Sequence, residues 1–298
     1  MFDVIIIGHA TMDTNVLPWG TVENVVGGAP TYAGAMLATL KKSVGVVSKV
    51  GADFDVSFYK RRGIDAKGIR TEGERTTRFR NMYDVKGDRW QVCEHVAPRI
   101  IPEDIPRAYE DARSFYISPV INEVDVEVIK RVKRKDNIVM LDPQGLFRKI
   151  GERGRVEVAP RGREDLAAFL EHVDIVKVGK DEVLAFGMGV RDILLFLARA
   201  GAEVAIVTLG GEGSMFLAGD RIEKVSSLNV DVKDPTGAGD VFGAAFLAKY
   251  LETLDTLTSV RFATVAAGLK IRFEGPTGFP SEEEILKELG RWACERRL

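Results

Sequence analysis

Short apolar segments alternate with longer amphipathic segments along most of the chain. A continuously apolar segment that ends in glycine or polar residues is typical of a parallel strand covered on both faces, and the amphipathic segments are typical of helices. Strands are predicted in this way at residues 4–8, 44–48, 114–118, 138–141, 174–178 and 204–208. The alternation predicts an α/β fold in which helices cover both faces of a mostly parallel central sheet.

Two strand-like segments, 76–83 and 89–96, interrupt this alternation. The residues between them, 84–88, contain Lys-Gly-Asp, which favours a hairpin turn. A further short strand is predicted at 22–26, outside the main sheet. Helices are predicted at 54–62, 123–135, 257–271 and 281–289. Because no linker and no repeat divides the chain, a single domain spanning 1–298 is predicted.

The composition excludes several classes of protein. The chain has 298 residues, of which 45% are hydrophobic and 29% charged, and a formal net charge of -2. A large buried core is therefore expected, without the basic field that binds nucleic acid or anionic membranes. No apolar run approaches the roughly 20 residues of a membrane span, and residues 1–8 lack the basic segment of a signal peptide. The only cysteines, Cys93 and Cys294, fit a reducing compartment, so a cytoplasmic protein is expected.

The stretch 234–240, Asp-Pro-Thr-Gly-Ala-Gly-Asp, precedes an apolar run without a helix breaker. It predicts a glycine turn leading into a helix that begins near Asp240. Unpaired amides at a helix start attract anions, and a carboxylate beside them would repel a bound phosphate, so its presence there calls for a functional explanation. Proton abstraction is the best one: Asp240 accepts a proton from a hydroxyl while the amides of Gly237, Ala238 and Gly239 hold the phosphoryl group. A tight turn with Asp240 as an ordinary helix cap is the simpler alternative.

Further polar and glycine residues follow predicted strands. Asp13 follows the first strand, and Asp142 and Gln144 follow the strand at 138–141. In an open α/β sheet, ligands bind at this carboxyl edge. Gly27 and Gly28 would let the backbone approach a ligand closely. These residues are therefore candidates for binding a substrate.

The whole seven-residue stretch resembles the DTGAGD-type signature of the PfkB (ribokinase-like) carbohydrate kinase family. The similarity extends over essentially the whole chain. Residues 27–35 resemble the family's N-terminal substrate signature, with Tyr32 at the usual Asn position, and 204–214 resemble its TxGxxG nucleotide loop. Residues 174–182 resemble the NxxE segment, with Gly179 at the Asn position. The turn at 142–145, Asp-Pro-Gln-Gly, is similar to the branch that includes myo-inositol kinases.

The resemblance implies a three-layer ribokinase-like sandwich with a small β-lid formed by residues of about 14–26 and 75–97. It implies that these residues bind substrate: Asp13, Gly27, Gly28, Tyr32, Asn81, Gln91, Asp142 and Gln144. It assigns the following residues to the nucleotide: Lys177, Thr208, Gly210, Gly213, Gly239 and Ala267. Glu182 would organise Mg²⁺ through water, and a monovalent cation, K⁺, would bind at Asp234 and Thr236.

The function implied by the resemblance is ATP-dependent phosphorylation of a hydroxyl on a small polyol or sugar, with a myo-inositol-like substrate favoured. A nucleoside kinase or a sugar-phosphate kinase of the same family stays open, the latter because six basic residues occur between 148 and 163. A non-catalytic nucleotide sensor is the remote alternative. Lids in this family can pair between subunits, which allows a homodimer.

Two other classes of nucleotide-binding protein fit the sequence poorly. Gly237, Gly239 and Gly243 form GxGxxxG, which differs from the GxGxxG of dinucleotide-binding oxidoreductases, and they do not follow the first strand. The chain also contains no GxxxxGK[ST] motif of a P-loop NTPase.

Overall fold

Strands and helices alternate through the computed structural model, which describes residues 1–83 and 89–295. The strands are β1 (Val4–Ile7), β2 (Thr11–Leu17), β3 (Gly20–Gly27), β4 (Val44–Val50), β5 (Asp65–Thr71), β6 (Arg78–Tyr83), β7 (Arg89–His95), β8 (Ser114–Ile117), β9 (Ile138–Leu141), β10 (Arg148–Ile150), β11 (Val156–Val158), β12 (Ile175–Val178), β13 (Val204–Thr208), β14 (Ser214–Ala218) and β15 (Arg221–Val225). The helices are α1 (Ala29–Thr39), α2 (Ser57–Lys60), α3 (Val126–Val132), α4 (Arg163–Leu170), α5 (Lys180–Phe186), α6 (Val190–Arg199), α7 (Ala238–Thr253), α8 (Thr256–Lys270) and α9 (Glu282–Glu295).

The main sheet has nine strands in the spatial order β15-β14-β13-β12-β9-β8-β1-β4-β5. The strands from β13 to β5 are parallel, and β14 and β15 add an antiparallel hairpin at one edge. At the centre, Val4 of β1 pairs with Val44 on one side and Ser114 on the other. The predicted mostly parallel sheet is therefore confirmed.

Helices cover both faces of the main sheet, because its central strands are apolar on both. In β1, Val4 and Ile6 pack in the core formed with α1, α7, α8 and α9. Ile5 and Ile7 point to the other face and pack with α3, α4 and α6. Each of these side chains is fully buried, and such burial contributes about 1.5–3 kcal/mol per aliphatic side chain. The predicted three-layer arrangement is the result.

A second sheet, named the lid sheet here, consists of strands in the order β3-β2-β6-β7. It leaves the main sheet directly after β1, and β2 runs parallel to β6. The predicted segments 76–83 and 89–96 contain β6 and β7, which pair antiparallel. The predicted turn at 84–88 lies outside the described residues, as does the side chain of Cys294.

Two helices are shorter than the sequence predicts. The helix expected at 54–62 spans only Ser57–Lys60, because the Asp55 carboxylate accepts hydrogen bonds from the Ser57 amide and hydroxyl and forms a turn before it. The helix expected at 123–135 spans Val126–Val132, because buried Glu123 accepts backbone amides instead of starting a helix. In the described part of the chain, no helix is long and apolar enough to cross a membrane.

Candidate active site

Two cavities meet at the start of α7. The first, of about 310 Å³, lies between the lid sheet and the carboxyl ends of the central strands. The second, of about 420 Å³, lies between the turn after β13, α7 and α8. Both cavities are lined by Pro235, Ala238 and Gly239. The first turn of α7 thus lies between the two cavities and lines both of them.

The start of α7 depends on Gly237. Gly237 caps the helix with a φ of 75°, a left-handed conformation that glycine adopts without steric cost. A Cβ at this position would overlap the ring of Tyr32, which is 2% exposed. The helix begins at Ala238, two residues before the predicted position, so Asp240 lies in its first turn. The Ala238 amide, predicted to hold an anion, donates instead to the Pro235 carbonyl at 3.1 Å. A helix start leaves further amides without partners inside the helix, and such a turn favours an anion.

Asp240 faces the first cavity with one carboxylate oxygen free of protein partners. Its Oδ1 atom is buried and accepts no hydrogen bond from the described residues. Burial and, to a smaller extent, the charge of Asp142 raise the pKa of Asp240 to about 7, although Lys177, Arg148 and Gln144 act in the opposite direction. A carboxylate with this pKa can accept a proton at neutral pH.

Asp142 and Lys177 form an ion pair beside Asp240. The Lys177 Nζ lies 2.6 Å from Asp142 Oδ2, and the two residues are 3% and 1% exposed. Burial lowers the pKa of Lys177, but Asp142, Asp240 and Glu182 outweigh this effect and raise it. The ammonium also donates a 3.4 Å hydrogen bond to the carbonyl of Gly239. A fixed positive charge therefore lies next to the amides at the start of α7.

The neighbouring strand β8 brings another group to Asp142. The Tyr116 hydroxyl on β8 donates a 3.3 Å hydrogen bond to Asp142 Oδ2. A Cβ at Gly243 would overlap this hydroxyl, so the glycine provides the room that Tyr116 occupies. Asp142 Oδ1 is buried without a partner among the described residues, which leaves it available to a bound molecule.

Arg148 is a site residue that the sequence reasoning did not assign. Its guanidinium lines the first cavity and donates to Gln144 Oε1 and to the Val120 carbonyl, both at 3.1 Å. The sequence feature that could have identified Arg148 is the run of basic residues from 148 to 163. Two others of that run point elsewhere: Arg161 donates to Leu146 O and packs on Phe169, and Arg163 lies against Met188.

Polar groups of the lid sheet form the opposite wall of the first cavity. Gln91 Nε2 donates to Asn81 Oδ1 at 2.6 Å, and Asn81 Nδ2 donates to Asn15 Oδ1 at 2.9 Å. Asp13 lies beside them and accepts a 3.4 Å hydrogen bond from the Phe79 amide. The hydrogen bonds between the amide groups hold their side chains in fixed orientations.

The structure brings together most of the residues predicted to bind substrate. Those that line the first cavity are Asp13, Gly28, Tyr32, Asn81, Gln91, Asp142 and Gln144. Gly27 lies behind the wall, against the side chains of Thr11 and Asp13. Thr11, Phe79 and Val120 also line this cavity, and no motif pointed to them.

The residues predicted to bind nucleotide are divided between the cavities. Thr208, Gly210, Gly213, Gly239 and Ala267 line the second cavity, whereas Lys177 lines the first. The second cavity also has apolar walls that no motif predicted, formed by Leu228, Val230, Val232, Phe242 and Ile271. Apolar walls with a few polar groups are typical of a site for a small organic ligand.

The predicted metal residues differ in their surroundings. Glu182 is buried at the start of α5, where its Oε2 accepts the Gly179 amide at 2.6 Å. Asp234 accepts the Thr236 amide at 2.9 Å on one oxygen and the Gly275 amide at 2.7 Å on the other. Within residues 1–83 and 89–295, no group of three or more His, Cys, Asp or Glu side chains is arranged to hold a metal. Mg²⁺ bound through one carboxylate, water and phosphates needs no such group.

Comparisons with known proteins give the family match and the fold. The profile of the pfkB family carbohydrate kinases matches residues 1–283. A cytidine kinase of Thermococcus kodakarensis is 27% identical over 301 residues, covering 98% of this chain and 99% of that protein. A pyrophosphate-dependent kinase in the ribokinase family, complexed with a pyrophosphate analog and myo-inositol, has a TM-score of 0.80 at 22% identity over 96% and 99% of the two chains. An E. coli protein described as ribokinase II, in complex with ATP and Mg²⁺, has a TM-score of 0.80 at 21% identity over 98% and 100%. The fold is ribokinase-like.

Proposed function

Because the chain belongs to the pfkB family of carbohydrate kinases, a family of phosphotransferases with a hydroxyl acceptor, we propose that it transfers the γ-phosphoryl group of ATP to a small polyhydroxylated molecule in the first cavity. One observation carries the proposal: Asp240, with a free carboxylate oxygen, lies in the helix turn that both cavities share. A base and an anion site at the junction of two cavities suit phosphoryl transfer.

In the proposed reaction, Asp240 accepts the proton of the substrate hydroxyl as that oxygen forms a bond to the γ-phosphorus. The bond from the γ-phosphorus to the bridging oxygen breaks, and ADP leaves with the electron pair. The amides of Gly237 and Gly239 stabilise the charge on the transferring group, whereas the Ala238 amide is held by the Pro235 carbonyl. Fixed donors of this kind need no reorganisation during the reaction, which is why they often give the largest catalytic contribution.

Two side-chain cations add to this stabilisation. Lys177 lies against the Gly239 carbonyl, and Arg148 is held by Gln144 and Val120, so both line the cavity in fixed positions. A positive charge next to Asp240 also favours its ionised form. We propose that these cations contact the phosphoryl group during transfer.

Mg²⁺ is part of the proposal, with Glu182 holding it through water. The bound ion would neutralise charge on the phosphates. The nearby acids Glu182 and Asp142 supply the oxygen ligands that Mg²⁺ prefers, and the free Oδ1 of Asp142 supports this fit. The proposal does not include potassium at Asp234 and Thr236. The Lys270 ammonium already binds the Phe273 carbonyl, in the loop whose Gly275 amide donates to Asp234.

For the acceptor, we favour a polyol of the myo-inositol type. The support is the polar wall of Asp13, Asn81 and Gln91, which faces Asp142 and Gln144 across the first cavity. Hydroxyl groups around a ring can donate to the carboxylates and accept from the amides, and unpaired hydroxyls in such a site would be costly. A small ring with many hydroxyls therefore suits these walls.

A ribonucleoside is the second candidate, because two observations favour it. The cytidine kinase of T. kodakarensis is similar over nearly the whole chain. In addition, Phe79 and Val120 give the first cavity an apolar wall against which a base can stack. A sugar phosphate has weaker support, since of the arginines between 148 and 163 only Arg148 is among the residues that line this cavity.

The donor and the acceptor are tested together by measuring product formation with ATP or pyrophosphate against myo-inositol, cytidine, ribose, fructose and a sugar 1-phosphate. Phosphorylation of myo-inositol with ATP, abolished in Asp240→Asn, is the expected result. Phosphorylation of cytidine would select the second candidate. Pyrophosphate as the better donor would contradict the role given to the apolar second cavity. Binding of ATP without transfer to any acceptor would favour a sensor.

We also propose a homodimer formed through the lid sheet. Trp19, Val22 and Trp90 belong to the lid sheet or its β2–β3 turn and are 74%, 51% and 44% exposed. Large exposed apolar residues favour burial against a partner. Light scattering should give twice the monomer mass for the wild type and the monomer mass for Trp19→Ser/Val22→Thr. A wild-type monomer at all concentrations would contradict the dimer.

A further inference from the structure

Lys270, the last residue of α8, is a fully buried lysine outside the two cavities. Its ammonium donates a 3.1 Å hydrogen bond to the carbonyl of Phe273. The same nitrogen lies 5.7 Å from the ring centroid of Tyr32 and 5.9 Å from that of Phe279. Burial lowers the pKa of Lys270, and the charge of Asp234 offsets this effect only in part. A carbonyl and two aromatic rings thus surround the amine, and the charge of Asp234 acts on it from nearby, which is an environment that suits a cation.

Two sets of contacts connect this ammonium to the turn at residues 234–237, which precedes α7. On one side, the amides of Lys233 and Asp234 donate to Ile271 O at 2.8 and 3.0 Å, and the Gly275 amide donates to Asp234 Oδ2 at 2.7 Å. These bonds join the segment before the turn to residues 271–275, the loop whose Phe273 carbonyl binds Lys270.

On the other side, the connection passes through Tyr32. The Lys270 ammonium lies over the Tyr32 ring, and the same ring packs directly against Gly237. Gly237 is the residue whose left-handed conformation starts α7. A change in the position of the ammonium would therefore reach the amides of Gly237, Ala238 and Gly239 through the aromatic ring.

We propose that the Lys270 ammonium is a built-in cation that fixes the turn at Asp234–Gly237, so that the protein requires no monovalent metal ion there. Asp234 already accepts two backbone amides, and the Phe273 carbonyl already binds the ammonium. A potassium ion in the same loops would lie close to this positive charge, and two like charges repel in a buried site. The predicted potassium site at Asp234 and Thr236 does not fit these contacts.

The first test uses the wild type alone and does not depend on activity. A cation that binds the folded state raises the melting temperature. The melting temperature is compared in KCl and in tetramethylammonium chloride of equal ionic strength, with Mg·ADP affinity measured by calorimetry in both salts. Equal values in the two salts are expected. A higher melting temperature or tighter Mg·ADP binding specifically in KCl would overturn the proposal.

The second test replaces the ammonium with an apolar side chain of similar length. Lys270→Met should lower kcat by about 10²-fold, the effect of misplacing a catalytic group by about 1 Å. It should also acquire a response to K⁺, in melting temperature and in rate, that the wild type lacks. Lys249→Met is the matched control, because Lys249 also packs on an aromatic ring, that of Phe262, but pairs with Glu252 and Glu282 outside the turn.

The outcomes separate this inference from the proposed function on which its kinetic part rests. If the wild type neither binds Mg·ADP nor transfers phosphate in either salt, the proposed function fails, and the salt dependence of the melting temperature still tests Lys270. If Lys270→Met has the same kcat and salt response as Lys249→Met, the built-in cation is disproved. If Lys270→Met does not fold, the wild-type comparison decides.

Discussion

The Asp142 carboxylate lies 2.6 Å from the Lys177 ammonium, and the two members of this buried pair act on Asp240 in opposite directions. Asp142 raises the pKa of Asp240, and Lys177 lowers it. Buried ion pairs contribute little net stability, because desolvation offsets their attraction. The pair is better explained as a means of holding a base at a pKa useful near neutral pH.

The first prediction concerns the pH dependence of the reaction. Because Asp240 must be ionised to accept a proton and its pKa is about 7, kcat/KM should rise with pH up to about 7 and then level off. Asp142→Asn should move this rise to lower pH, and Lys177→Met should move it to higher pH. The measurement is kcat/KM between about pH 5 and 9 for the three proteins.

The position of the rise is the decisive quantity, since both variants also remove groups that line the cavity. Opposite displacements are expected, each of about one pH unit, the scale of a neighbouring charge. Displacements of both variants in the same direction, or a wild-type rate independent of pH, would contradict the assignment of Asp240 as the base.

The second prediction is that Asp240→Asn lowers the activity of the protein and raises the stability of its fold. The variant should lose at least about 10²-fold in kcat, the scale of general-base removal. The pKa of the Asp240 carboxyl is 3.8 in the unfolded chain and about 7 in the folded protein. Between these two pH values the folded state binds a proton that the unfolded state has lost, so the stability of the fold decreases as the pH rises from about 4 to about 7. Asp240→Asn removes this loss, which amounts to a few kcal/mol at most.

Urea denaturation at pH 8 and at pH 4 measures this effect. The variant should be more stable than the wild type at pH 8 and similar to it at pH 4. Equal stability at pH 8 would show that the folded carboxyl is not perturbed by burial.

The third prediction concerns the conformation of the turn before α7. Gly237→Ala should lower kcat/KM by at least about 10²-fold, because a Cβ overlaps Tyr32 and the φ of 75° disfavours alanine. The strain should also destabilise the fold by about 1–3 kcal/mol. Gly290→Ala is the control, because a Cβ at this exposed position in α9 meets no neighbour. Kinetics and thermal unfolding of the two variants would be compared, and equal activity would contradict the role of the turn.

The fourth prediction tests the second cavity as the nucleotide site. Ala267→Leu adds side-chain volume to its wall on α8 and should raise the KM for ATP by about 10- to 100-fold, since overfilling costs about 1–3 kcal/mol. The KM for the acceptor should be unchanged, because Ala267 does not line the first cavity. Steady-state kinetics with each substrate varied in turn measures both. A larger effect on the acceptor would reverse the assignment of the two cavities.

The sequence predicts the central motif well because its structure is local. Residues 234–240 contain the turn, the helix start and the acid in one continuous stretch, and the helix begins within two residues of the predicted position. The parallel sheet was equally predictable, since each strand carries its own apolar pattern. Helix bounds near Asp55 and Glu123 were wrong because side-chain bonds to the backbone, invisible in the apolar pattern, form the turns there.

Residues brought together by the order of the strands were less predictable. Lys177 is predicted to bind the nucleotide, and the structure adds what the sequence did not show: its side chain lines the first cavity and pairs with Asp142, which follows the adjacent strand. Arg148 and Phe79 lie in the site because of the paths of two hairpins. Lys270 is the last residue of an alanine-rich helix, and its surroundings include Tyr32 and Phe279 from distant parts of the chain. These contacts are tertiary and leave no periodic signal.

The glycine at position 243 has a consequence for protein engineering. Because it leaves room under α7 for the Tyr116 hydroxyl that donates to Asp142, the spacing between helix and sheet is part of the site. A graft of residues 234–240 onto another α/β scaffold would carry over the turn and the acid but not this spacing. Such a transplant should bind phosphate and remain inactive unless Gly243 and its facing tyrosine are transferred with it.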